Sequence, residues 1–156
     1  MYYTNTVKIT LTNSTIANKA LDILRSRLSA GFAVDNNYRR NPSLRMSEAL
    51  EVVDNTIVLP EDFGCYITED AESIMFELIQ NLAENLGSDP FDWDGWDSND
   101  YTDGHFEAAC QNGLLRIKYT YYPSGASSVE YYSQYDEVVD PSEYLPITAE
   151  KIIHII

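Results

Sequence analysis

Between Met46 and Leu115 the chain has no lysine and no arginine. Nucleic acid and anionic membranes are gripped through cations, so this stretch is excluded as a direct binder of either. Cysteine is scarce too. Cys65 and Cys110 are too few for a disulfide framework, and a reducing cytoplasm is the expected setting, with both thiols acting as small core hydrophobes. No apolar run approaches the length of a membrane span, and Met1-Tyr2-Tyr3-Thr4 lacks the charged and apolar regions of a secretory signal. There is no glycine-rich phosphate loop, no CxxC pair and no nucleophile motif. Neither a cofactor nor an enzymatic activity is expected.

What the stretch from Met46 to Leu115 does hold is 17 acids. The whole chain of 156 residues carries a formal charge of −15, split as +5 over residues 1–45, −17 over 46–115 and −3 over 116–156. A field of this sign attracts basic surfaces, and its self-repulsion works against the compact state. Solubility alone is the bland account of the acids. The 44% of apolar residues is ordinary for a globular protein, and the length fits one domain, residues 1–156, with a sizeable core.

Hydrophobic periodicity gives the elements. Thr6 to Thr12 alternates, with Val7, Ile9 and Leu11 on one face, and reads as a half-buried strand. Asn13 and Ser14 are N-cap candidates for a helix whose buried stripe is Ala17, Ala20, Leu21, Leu24 and Leu28, with Gly31 as its stop. Asp35 to Pro42 reads as loop, and Arg39 and Arg40 in it, with Arg45 just after it, suit the protein's own acids. Leu50–Val53 and Thr56–Leu59, separated by Asp54-Asn55, predict a tight hairpin, and Cys65 to Ile67 a further short strand. Thr68 is the expected N-cap of a second helix with Ala71, Met75, Leu78, Ile79, Leu82 and Leu86 buried and Gly87 ending it.

Asn112-Gly113 between β-prone runs is the strongest hairpin signal. It joins strands expected at Phe106–Ala109 and Leu114–Tyr122, with Ser128–Tyr135 returning and Glu130 opposite Arg116 and Lys118. Lys151 to Ile156 favours a closing strand, with a short helix as the alternative. The expected architecture is α+β: an antiparallel-rich sheet with two helices packed on one face. The two strand-then-helix units are compatible with a β-α-β-β-α-β, ferredoxin-like plan.

Ser88 to Gly104, SDPFDWDGWDSNDYTDG, has six aspartates and four aromatic residues, and is expected to be a long acidic loop after the second helix. Its acids and tryptophans, Asp92, Trp93, Asp94, Trp96, Asp97, Asp100 and Asp103, form one candidate partner-binding set; tryptophan is a frequent interface anchor. Asp70, Glu77 and Glu84 form the second, because spacings of seven align them on one helix face, about 10 Å apart along the axis. A solvated helix face accounts for those three equally well.

The expected function is a non-enzymatic acidic protein that mimics nucleic-acid phosphate and blocks the basic channel of a nucleic-acid-binding target, in the manner of an anti-restriction or anti-CRISPR inhibitor. Its partner would be a basic protein surface, with no direct contact to nucleic acid or membrane. Two alternatives come from other classes. A calcium-dependent adaptor would use the 88–104 carboxylates, although their spacing lacks the glycine and closing glutamate of an EF-hand loop. A small hydrolase would use His105, set between Asp103 and Glu107, as its base.

Overall fold

The computed structural model describes residues 3–30, 47–59, 64–65, 71–98, 103–122 and 147–156. The elements in chain order are β1 (Tyr3–Leu11), α1 (Ser14–Ala30), β2 (Glu51–Val53), β3 (Thr56–Leu59), β4 (Gly64–Cys65), α2 (Ala71–Leu86), β5 (Phe91–Ser98), β6 (Asp103–Gln111), β7 (Leu114–Tyr122) and β8 (Ile147–His154). Residues 47–49 add a helical turn. All eight strands join one sheet in the order β2-β3-β1-β5-β6-β7-β8, with β4 also paired to β1. Every pairing is antiparallel.

Local chemistry sets the element ends. The Asn13 side-chain oxygen accepts a 2.9 Å hydrogen bond from the Ile16 amide, which caps the first turn of α1. Gly87 takes φ +64° after α2, and its amide donates to the Ala83 carbonyl at 3.0 Å. Asp54 (φ +55°) turns β2 into β3, and the adjacent Asn55 side chain donates to the Leu11 carbonyl at 2.9 Å, tying the hairpin to β1. Asn112 and Gly113 both have positive φ (+54° and +74°), as a two-residue hairpin requires.

One face of the sheet is apolar. Ile9, Ile57, Phe106, Leu115 and Ile117 meet Leu24 and Leu28 of α1 and Met75, Leu78, Ile79 and Leu82 of α2 in a single fully buried cluster. Helix α1 packs on β1 to β3 and α2 on β5 and β6. The opposite face is covered by no element among the described residues. No helix among them is long and apolar enough to cross a membrane.

Three expectations need correction. The long acidic loop is instead largely two strands: β5 is the sheet's central strand, paired with β1 and β6. Aspartate disfavours strands, but Phe91 to Gly95 alternates, and burying Phe91, Trp93 and Gly95 on the core face outweighs propensity. The ferredoxin-like plan fails because four strands follow α2 where that plan has one. The outer edge of β7, expected to receive Ser128–Tyr135, is taken by β8, and Glu150 rather than Glu130 stands opposite Lys118. The segments 35–42 and 128–135, Gly31 and the Thr68 cap lie outside the described residues.

Candidate functional site

A strand points alternate side chains to opposite faces. With Phe91 and Trp93 inward, Asp92 and Asp94 stand on the uncovered face, about 6.8 Å apart. Strand register then builds a transverse row: Lys8, Asp94, Glu107, Lys118 and Glu150 are successive partners on β1, β5, β6, β7 and β8. The neighbouring row runs Thr10, Asp92, Ala109, Arg116, Ile152. The small Ala109 side chain floors a shallow depression of about 530 Å³ between these rows.

Register alone pairs Asp94 with Lys8 and Glu107 with Lys118. The carboxylates go elsewhere. Asp94 Oδ1 lies 3.0 Å from His105 Nε2, and Glu107 Oε1 lies 3.2 Å from His105 Nδ1. The imidazole stacks on Trp96, with ring centroids 4.3 Å apart and planes 12° from parallel. His105 is mostly covered, at 16% side-chain exposure, whereas Asp94 keeps 62% and Glu107 51%. Lys8 and Lys118 make no ion pair among the described residues; Arg116 reaches Glu150 at 3.6 Å. Asp92 is exposed and unpaired among them.

The ten candidate residues do not form one surface. Glu77 is held by Arg27 of α1 on the helical side of the molecule, a pair worth at most about 1 kcal/mol at such exposure. Glu84 accepts a 3.0 Å hydrogen bond from Gln80 on that same helix. These two therefore lie on the layer away from Asp92 and Asp94. Trp93 is 3% exposed and belongs to the core, not to an interface. Trp96 is half-buried and occupied by His105. Asp97 and Asp103 are described in backbone only, and Asp70 and Asp100 lie outside the described residues.

Sequence reasoning left Glu107 and His105 out of the partner-binding set. Their signal was present: Gly104, Phe106, Ala108 and Cys110 alternate with His105, Glu107 and Ala109, and the inward set is buried.

No group of three or more metal-ligating side chains occurs among the described residues. Within the segment of the calcium reading, residues 91–98 and 103–104 are strand, which holds neighbouring carboxylates apart instead of wrapping them around an ion; residues 99–102 lie outside the described residues. Both ring nitrogens of His105 face carboxylates. Cys110 is a free, buried thiol, and its burial pushes the thiol pKa up. In the native protein it is expected to resist iodoacetamide at mildly alkaline pH and to react once denaturant is added, as mass spectrometry of the adducts will read. Rapid native labelling at Cys110 would contradict the packing of β6.

Comparison with protein-family models, curated protein sequences and solved structures gives no match for this chain.

Proposed function

We propose that this protein is a non-enzymatic acidic binding protein, acting in a reducing cytoplasm, that engages the basic channel of a nucleic-acid-binding protein and occupies it as phosphate would. Inhibition of the anti-restriction or anti-CRISPR type is the corresponding activity. The single observation that carries the reading is the arrangement on β5 and β6. The cation-free stretch lays Asp92, Asp94 and Glu107 side by side on a sheet face that no described element covers. The net charge of −15 supplies a long-range field to match.

The binding surface is therefore narrower than the acidic stretch suggests. It is the open face at the β5–β6 hairpin, and the acids of α2 are not part of it. Lys8, Arg116 and Lys118 flank it and give the surface a mixed-charge rim, which favours a partner whose cations are spaced to meet the central acids and avoid the rim. DNA presents one charge per about 3.4 Å along each strand, so carboxylates at about 6.8 Å are a coarser copy of it.

The experiment is competition. A partner captured at low salt, then purified, is expected to release this protein when duplex DNA or structured RNA is added in excess. A complex that binds nucleic acid without releasing this protein would refute channel occupancy.

A further inference from the structure

A carboxylate accepts hydrogen bonds and never donates one. His105 has a carboxylate oxygen within 3.2 Å of each ring nitrogen; the Asp94 contact is a hydrogen bond and calls for an N–H on Nε2, and the Glu107 contact is a close charge contact that favours a proton on Nδ1 over a lone pair. The neutral ring has only one N–H. It satisfies one carboxylate and sets a lone pair against the other; the doubly protonated ring satisfies both. Imidazole is also the side chain whose charge ordinarily changes between pH 5 and 8.

The surroundings make this contact a choice between two arrangements. Around the ring stand Asp94 and Trp96 from β5, Glu107 from β6 itself and Thr120 from β7; Asp103, two residues before it, is described in backbone only. One strand further out lie Lys8 on β1, opposite Asp94, and Lys118 on β7, opposite Glu107. Each carboxylate thus has a cross-strand lysine on its far side that it does not use. The Trp96 stack fixes the ring plane, so the imidazole cannot follow a carboxylate that turns away.

We propose that His105 is a proton-operated clasp on the partner-binding carboxylates: the charged ring holds Asp94 and Glu107 together, and the neutral ring frees one of them for an external cation. The consequence for partner binding rests on the function proposed above; the clasp itself does not. A cation from the partner and the proton on His105 compete for the same oxygens. By linkage, partner binding then expels a proton, and acidification weakens partner binding. The freed carboxylate's intramolecular alternative is an exposed pair with Lys8 or Lys118, which is a weak competitor.

Two measurements test this separately. In the first, side-chain carboxyl ¹³C and imidazole resonances of the intact protein are followed from pH 5 to 8. The Asp94 and Glu107 carboxyl signals are expected to step together with the His105 ring transition, and His105→Gln is expected to abolish the step. A ring that titrates while both carboxyl signals stay flat overturns the clasp, as does a ring that does not titrate in this range. In the second, a deca-arginine peptide is titrated into the protein in two buffers of different ionisation heat, at the midpoint of the ring transition. Binding is expected to release a substantial fraction of one proton per complex, and none from His105→Gln. Binding without proton release overturns the competition. Absence of any peptide binding counts against the proposed function, while the carboxyl signals still decide the clasp.

Discussion

Replacing Trp93 with alanine is expected to lower the stability of the fold by about 4 kcal/mol, the usual cost of deleting a large buried aromatic side chain. Trp93 sits mid-strand on β5, opposite Ile9 of β1 and Ala108 of β6, and is 3% exposed. Nothing nearby can close a hole of indole size without moving the central strand. For a chain of this length the change corresponds to a fall in Tm of roughly 10 °C, readable by calorimetry or chemical denaturation. Phenylalanine is expected to cost less than half as much. The Trp93 indole N–H is buried without an acceptor among the described residues. Leaving such a donor unpaired costs about 1–3 kcal/mol, and Trp93→Phe removes that penalty while leaving a smaller cavity. An unchanged Tm in Trp93→Ala, with partner binding lost, would instead restore Trp93 as an interface anchor.

Gly104→Ala is the second substitution expected to act strongly. Gly104 begins the inward-facing series of β6, and its backbone is not in the left-handed region. Space is the constraint. A Cβ there would stand 2.6 Å from Tyr119 Cε2 and 2.8 Å from its hydroxyl oxygen. The Tyr119 ring cannot simply retreat, because it packs against Phe106 (centroids 4.5 Å apart) and Phe76 (5.8 Å) and is 8% exposed. Overpacking of this kind costs about 1–3 kcal/mol. A double-mutant cycle checks the cause: adding Tyr119→Leu to Gly104→Ala should recover part of the loss, since the two sites share one volume. Additive losses would place the damage in the backbone instead.

Much of this fold is readable from residue types. The stripe Ala17, Ala20, Leu21, Leu24, Leu28 is the buried face of α1, and the Asp54-Asn55 and Asn112-Gly113 turns sit where their conformational preferences put them. The failure at Ser88–Gly104 is equally instructive. Six aspartates in seventeen residues look like a loop when propensities are counted, because aspartate and glycine both disfavour strands. The same letters look like a strand when alternation is counted, since Phe91 and Trp93 have two-residue spacing. Burial of two large aromatics decides between them. Sheet order was legible only at the two hairpins, β2–β3 and β6–β7. No local pattern tells β8 to lie against β7 across the intervening residues, because that pairing is settled by which edge is open and not by either strand's own composition.

The candidate site was half legible for a related reason. Charge counting located the acidic stretch but is blind to direction. Only the fold separates Glu77 and Glu84, on the helical layer, from Asp92, Asp94 and Glu107 on the open face. The contact of His105 with Asp94 was also invisible, because Asp94 is 11 residues away and is brought close only by the β5–β6 register.

The most direct test of the whole account is the salt dependence of partner capture, run with the wild-type chain and with the triple variant Asp92→Asn, Asp94→Asn, Glu107→Gln. Raising ionic strength from about 0.05 M to about 0.5 M shortens the screening length from about 14 Å to about 4 Å. The wild type is expected to retain a basic protein at the lower salt and release it at the higher, and the triple variant to retain little at either. Capture that is equal at both salts, or equal for wild type and triple variant, would contradict the claim that these three carboxylates hold a cationic partner.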